Sequence, residues 1–588
     1  MIVDKYQALK HYFGHDAFRP GQEKLIDALI AGHDAFGVMP TGAGKSICYQ
    51  IPALVRPGIT FVISPLISLM KDQVAALRSA GIPAAYLNSS LTPAQLELAT
   101  ERAMQGMYRI IYVAPERLEA PSFIRLAMQS KIALIAVDEA HCVSQWGQDF
   151  RPNYLRIAAF IASLPERPPV GALTATATMR VRSDIIRLLE LVDPVHTLTG
   201  FDRPNLYFEV IQPKSRLETL RQIILGRRDQ FGIVYCATRK TVMEVTERLQ
   251  DAGVRAAAYH AGMNDEARQQ SQEAFQYDRV NVMVATNAFG MGIDKSNVHY
   301  VIHYNMPKSM EAYYQEAGRA GRDGGDADCI LLYSGSDIFT AKWMIEHGEP
   351  NAELTPAEQA QVKRQDYARL NAMIDYCTKE GCKRQYILRY FGEDAPEACG
   401  HCSDCCGARY AQEAAAPRPS RARRAPIKAA APVERKIEPV QLDEPVEADP
   451  DNLFELLRAC RMLMARQAHV PPYIVCDDKT LHDMERRMPM TREELLSVHG
   501  MGQVKVNRYG KAFLDVIRSY DRAHPRSGKT VTRIAVKAAP LDAGKPWTEE
   551  DDARLRQMYA DGERVADLAV AFGRTTGAIR ARLKKMGL

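Results

Sequence analysis

Several things are scarce in this sequence, and each shortage removes a class of protein. No apolar run reaches the length of a membrane span. The N-terminus, Met-Ile-Val-Asp-Lys-Tyr, has no charged leader before an apolar core, so a cytoplasmic protein is expected, nucleoid-associated if bacterial. Neither sign of charge dominates: 76 Lys and Arg against 71 Asp and Glu leave +5 over 588 residues, which permits a nucleic-acid partner without requiring one. Tryptophan occurs only three times. In a reducing compartment the twelve cysteines are not a disulfide framework, and six of them crowd between Cys377 and Cys406, which suggests a metal.

What is present is length for several domains and an ordinary globular balance of 46% hydrophobic and 25% charged residues. The chain is organised around Met39-Pro40-Thr41-Gly42-Ala43-Gly44-Lys45-Ser46, set between an apolar segment and a helix expected near Ile47. Strand, glycine turn and helix make a phosphate cradle, in which backbone N–H groups and the helix N-terminus face an anion. Lys45 should reach the β- and γ-phosphates, and Ser46 should offer a hydroxyl to Mg²⁺. Met39 stands where the general pattern has its first glycine, so an ordinary strand-to-helix turn would look similar.

Upstream, Gln22 follows the turn Arg19-Pro20-Gly21 and could read an adenine edge, or merely open a helix. Strands are expected at 60–64, 108–113 and 132–137, and their alternation with helical stretches predicts a parallel α/β sheet. The last ends in Asp138-Glu139-Ala140-His141, at the sheet edge where ligands bind. Asp138 could hold Mg²⁺ directly or through water, and Glu139 could orient and deprotonate the attacking water; adjacent acids in a solvated turn are the plain alternative. Next come Trp146, Phe150 and Arg151 on a polar loop, suited to stacking on unpaired bases or to tucking into the sheet. A second α/β unit follows the break near Phe201-Asp202-Arg203-Pro204, with strands expected at 232–236, 256–259 and 280–285 and no phosphate loop. It carries Gly290-Met291-Gly292, then Arg319 and Arg322 three apart on a glycine-rich turn. Either arginine could stabilise charge at a γ-phosphate bound by the first unit.

In this order the motifs resemble the RecQ family of superfamily-two DNA helicases, from about Phe13 to Cys405. The resemblance implies two tandem RecA-like lobes, with ATP in the cleft contacting His15, Arg19, Gln22, Thr41, Gly42, Ala43, Gly44, Lys45 and Ser46. It makes Arg322 the finger and Arg319 its support, and it gives Trp146, Phe150 and Arg151 to single-stranded DNA. It further implies a 3′-to-5′ DNA helicase of recombination and repair, or alternatively a DNA-stimulated translocase that does not separate strands. Its substrates would be single-stranded and partly duplex DNA, a single-strand-binding protein is a candidate partner, and a monomer away from membranes is expected. Two departures stand out: His15 replaces a tyrosine that stacks on adenine, and Gln148 replaces a common histidine.

Cys382, Cys399, Cys402 and Cys405 have spacing able to close a tetrahedral Zn²⁺ site; the family pattern selects them over Cys377 and Cys406. The expected divisions are lobe one at 1–206, lobe two at 207–338, a helical zinc module at 339–407, a linker at 408–447, an HRDC-like bundle at 448–525, a linker at 526–543 and a Myb-like helix-turn-helix at 544–588. The first linker leaves no room for the winged helix that many relatives place there. In the bundle, Leu453, Leu456 and Leu457 share a face, and the Gly500–Gly502 turn with Lys505 and Arg508 could meet a phosphate, or the bundle could bind protein. Arg574, Arg580, Arg582, Lys584 and Lys585 give the last helix a basic face for DNA.

Overall fold

The computed structural model describes residues 4–410 and 449–524, apart from 148, 288, 290–294, 349–354, 450 and 469, together with isolated positions between 552 and 586. Gln148, the 290–294 stretch, both linkers beyond Tyr410 and most of the expected helix-turn-helix therefore lie outside the described residues.

Short apolar runs bounded by turns become strands buried on both faces. The first seven are β1 (Ala35–Val38), β2 (Ile59–Ile63), β3 (Ala84–Leu87), β4 (Ile110–Val113), β5 (Ile132–Val137), β6 (Val170–Thr174) and β7 (Val195–Leu198). They form one sheet in the order β3-β4-β2-β5-β6-β1-β7, with every pairing parallel. Six more follow: β8 (Leu206–Ile211), β9 (Gly232–Tyr235), β10 (Ala256–Tyr259), β11 (Val282–Ala285), β12 (Tyr300–His303) and β13 (Ala327–Leu332). Their sheet runs β10-β11-β9-β12-β13-β8, also parallel throughout. These are the two expected RecA-like lobes. β3, β7, β8, β12 and β13 are additions to the strands expected from sequence, and the helix after the glycine turn, Lys45–Val55, starts at Lys45 rather than near Ile47. It starts early because Gly44 sits at φ 80° and completes the turn within one residue.

β5 and β1 flank β6, so the loops leaving all three gather at one edge of the first sheet. At the second sheet, β8 would be an open edge. Instead Phe208 bridges Cys402, and buried Glu209 accepts the N–H groups of Arg409 and Tyr410 at 2.9 and 3.1 Å. The first residues of the expected linker are thus held on the lobe.

Helices Leu453–Ala468, Asp478–Arg487, Arg492–Leu496 and Gln503–Ala523 close a bundle around Leu457, Leu481, Met484 and Phe513. Leu453 and Leu457 are buried, and Leu456 is half-buried. The bundle seats on both lobes. On the first, Lys10 donates to the Leu496 carbonyl at 3.3 Å and the Ser79 and Tyr509 hydroxyls meet at 3.3 Å. On the second, Asp278 pairs with Lys295 and lies 3.9 Å from Arg461, which also pairs with Asp478 at 2.6 Å. The compact unit 523–588 has a small core of Leu555, Leu568, Ile579 and Leu583, and Arg582 pairs with Asp552 at 2.6 Å. Arg574, Arg580 and Lys584 lie outside the described residues. Among the described residues no helix is long and apolar enough to cross a membrane.

Lys295 and Arg461 are each only 2% exposed; Lys295 pairs directly with Asp278, whereas Arg461 pairs with Asp478 and has Asp278 as a more distant second acid. Removing one partner of a buried ion pair leaves the other uncompensated. Asp278→Ala is expected to destabilise the protein by about 3–5 kcal/mol, read as a lowered urea midpoint.

Candidate nucleotide site, aromatic loop and cysteine cluster

The loop between β1 and the helix Lys45–Val55 is closed by contacts from elsewhere. Gln22, buried, accepts from the Arg19 N–H at 2.8 Å and donates to the Ala43 and Gly44 carbonyls at 3.1 and 2.9 Å. Its carboxamide is engaged with the loop backbone, so reading adenine would require exchanging these bonds. A side chain at Gly44 would meet the Gln22 amide at 2.6 Å, which is why the tight turn needs glycine there. Arg19 donates to the Gly42 carbonyl. Lys45 is half-buried with its ammonium 3.3 Å from the Met39 carbonyl; desolvation lowers its pKa, while Glu139 and Asp138 raise it and Arg322 lowers it.

Asp138 and Glu139 leave β5 beside that lysine. Burial first, and then Glu139, raise the Asp138 pKa to about 7 against the opposing pull of Lys45. Glu139 sits at φ 47°, and its carboxylate lies 3.3 Å from His141 Nδ1, which also meets the Thr174 hydroxyl at 2.8 Å. β5 and β6 are thereby tied at their functional ends.

The second sheet supplies the facing wall. A Cβ placed on Gly42 would stand 3.6 Å from Arg322 Cα, and one on Gly318 would stand 3.5 Å from Thr41 Cβ. Arg319 is buried toward the Tyr235 hydroxyl. The residue that sequence reading missed is Arg203, within a motif read only as a break. Its guanidinium donates to Thr41 at 2.6 Å on one wall, and to Ala320 and Gly321 at 3.1 and 2.8 Å on the other.

The aromatic loop is held rather than loose. Arg180 stacks over the Trp146 ring, and Arg369, from the helix Pro356–Thr378, donates to the Trp146 and Gly147 carbonyls at 2.5 and 3.2 Å. Arg151 pairs with Asp149 at 2.9 Å and donates to the Pro65 carbonyl at 2.9 Å; Phe150 is half-buried. Neither Arg180 nor Arg369 carries a local motif that would have announced it.

The sulfurs of Cys382, Cys399, Cys402 and Cys405 lie within 4.8 Å of one another. Cys377, buried, and Cys406, exposed, stand outside the group. Four thiolates at this separation fit a tetrahedral zinc ion with bonds of about 2.3 Å.

Four family models match the chain: DEAD/DEAH box helicase at residues 19–185, helicase conserved C-terminal domain at 215–324, RecQ zinc-binding at 335–406 and HRDC domain at 451–517. "ATP-dependent DNA helicase RecQ" of Bacillus subtilis (strain 168) is 38% identical over 597 residues, spanning 89% of this chain and 100% of that protein. The Haemophilus influenzae protein of the same name is 35% identical over 610 residues, spanning 88% and 97%. "ATP-dependent helicase SGS1" of Saccharomyces cerevisiae is 40% identical over 411 residues, 68% of this chain and 28% of that protein. The chain belongs to the RecQ family.

In this RecQ protein the HRDC bundle reaches the His15 segment of the first lobe. The His15 and His499 rings are 5.4 Å apart, and a side chain on Gly14, at φ 74°, would run into Gly502 N at 2.5 Å. The Gly500–Gly502 turn, read as able to meet a phosphate or a protein, is applied to the first lobe of the RecQ core. Lys505 is half-buried beside it, and desolvation lowers its pKa. The backbone shape that suits an anion also suits close approach of another backbone.

Burial first, then His499, Arg19 and Lys505, lower the His15 pKa to about 4, opposed by Asp477. Its folded pKa lies below the unfolded value near 6.5, so stability is lost as pH falls from about 6.5 toward 4. At pH 5 the loss is expected to reach up to about 2 kcal/mol, and His15→Asn should flatten the dependence in melts between pH 5 and 7. Stripping zinc from the cysteine cluster of this RecQ chain with a chelator is expected to lower the melting temperature. An unchanged melt after verified metal removal would exclude a structural site.

Proposed function

We propose that this RecQ-family chain is an ATP-dependent DNA helicase that moves 3′ to 5′ on single-stranded DNA and serves recombination and repair. The observation that carries the reading is the meeting of the two lobes at one loop: Arg322 lies against Gly42, and Lys45 feels Glu139, Asp138 and Arg322 together. Two cations and two acids from separate sheets, gathered at one loop, suit an anion that is bound and then cleaved. The printed names of the bacterial relatives support DNA as the substrate. Polarity and pathway rest on the family resemblance.

In this reading Lys45 holds the β- and γ-phosphates and Arg322 faces the γ-phosphate, with Arg319 behind it. The oxygens of Ser46 and Asp138 are a hard donor set beside a second acid, Glu139, and burial before all else raises the Asp138 pKa, so a magnesium ion fits. When bound, it would neutralise charge across the two phosphates. Glu139, fixed by its backbone and by His141, orients water and takes its proton. The water oxygen bonds to phosphorus as the bridging oxygen departs with ADP. Loss of the shared anion leaves Lys45 and Arg322 as neighbouring cations, which favours separation of the lobes and movement of one along the strand.

Trp146, Phe150 and Arg151 couple DNA to this cycle. The Arg151 N–H donates to the Cys142 carbonyl at 2.9 Å and the Tyr154 hydroxyl to the Asp138 carbonyl at 3.0 Å, so displacing the loop moves the backbone of the acids.

The test is ATP-dependent release from matched duplexes carrying a 3′ or a 5′ single-stranded tail, with Lys45→Ala as the blank. Release from the 3′ tail alone is expected, and Glu139→Gln should lower turnover by about 10²–10⁴-fold. Release from the 5′ tail alone would reverse the polarity. DNA-stimulated turnover without release from either would make the protein a translocase.

A further inference from the structure

Among the described residues, Phe339 and Trp343 are the most exposed large aromatic side chains, at 77% and 61%. They stand one turn apart on the helix Ser336–His347, where positions 339, 343 and 347 form one stripe. The Trp343 ring is stacked on His347, with centroids 4.9 Å apart and planes 15° off parallel, and His347 Nδ1 lies 3.0 Å from the Trp343 carbonyl. The indole is thus backed on one face and open on the other. Core packing does not account for two such rings, because the same helix buries Asp337 and Ala341 on its opposite side.

The adjoining stripe of this helix, Thr340 and Met344, lines a cavity of about 860 Å³. That cavity continues to Asp149 in the aromatic loop and to Arg369, which holds the loop. Lys308 also lines it, and exposed Lys342 flanks Trp343. The acids along it are each answered from within the chain: Asp149 by Arg151, Glu316 by His303, Asp337 by Arg216, Glu346 by Lys363 and Asp366 by Arg369.

We propose that Phe339 and Trp343 form a base-stacking platform for unpaired DNA, placed at the rim of the groove that leads to the Trp146–Arg151 loop. Flat, open rings beside lysines match the two faces of a single strand. Every base offers a π-surface whatever its identity, and the lysines meet its phosphates. The platform extends the DNA path of the proposed helicase reading and rests on it. It adds a second stacking point on the far side of the groove, so a strand leaving one aromatic site is received by another.

The test uses the full chain and a fluorescein-labelled oligothymidylate, with anisotropy reporting affinity. Phe339→Ala/Trp343→Ala is expected to weaken binding about tenfold or more, as loss of stacking on one or two bases implies. Trp343→Phe should retain most of it. DNA-free ATP turnover and the melting temperature should stay unchanged, because both rings lie outside the nucleotide site and the core. Placing 5-iododeoxyuridine in the oligonucleotide should give a photo-crosslink to the peptide carrying Trp343. If the parent protein itself fails to bind the oligonucleotide, the helicase reading fails and takes the platform with it. If the parent binds and the double variant binds equally well without a crosslink to this helix, the platform alone is overturned. A change in sedimentation of the double variant without DNA, with affinity intact, would assign the face to a second copy of the chain.

Discussion

The cleft between the lobes is bridged by an arginine answered by carbonyl oxygens. Arg203 directs its guanidinium to backbone oxygens on both walls, and burial lowers its pKa as a result. Carbonyls are weaker partners for a cation than carboxylates, so the bridge can break and re-form as the walls move. Thr41 and the Ala320–Gly321 turn are positioned by one side chain, and with them the approach of Arg322 to Gly42.

The zinc module and the HRDC bundle add to the lobes in different ways. The zinc module continues the second lobe, since Cys402 bridges Phe208 and the chain just beyond the cluster is fastened to Glu209 inside the edge strand. It also reaches the first lobe, where Arg182 donates to the Phe391 carbonyl at 3.3 Å and Phe391 stacks on Phe201 with centroids 4.3 Å apart. The bundle instead touches the second lobe through buried charges and the first through hydrogen bonds, a histidine pair and a close backbone approach. One attachment is a continuation of the core, and the other is a seat that titration and charge can loosen.

Much of this was legible in the sequence because it is local. Runs such as Ile132–Val137 announce buried strands by composition, and the glycines around Lys45 announce their turn. The missed strands have physical reasons. β7 reads Val-His-Thr-Leu, half polar because it lies at a sheet edge, and β8 begins inside a stretch whose proline and asparagine look like a break. Arg203, Arg180 and Arg369 were invisible for another reason. Arg203 meets Thr41 162 positions away, and Arg369 meets Trp146 at a separation of 223. No pattern within a segment records a partner that folding delivers from so far. The Gly500–Gly502 turn was seen with two readings open, because local geometry alone does not distinguish an anion from another backbone.

The seat of the bundle has a consequence for how the protein is made. Lys10 and the Leu496 carbonyl are 486 residues apart, and Gly14 lies against Gly502. At translation rates of about 5–20 residues per second, the ribosome needs roughly 25–100 s to supply the second partner after the first. Throughout that interval the first lobe can be complete while the surface beneath the bundle stays uncovered. The nascent chain thus has a window in which its nucleotide cleft is more open than it will be in the finished protein.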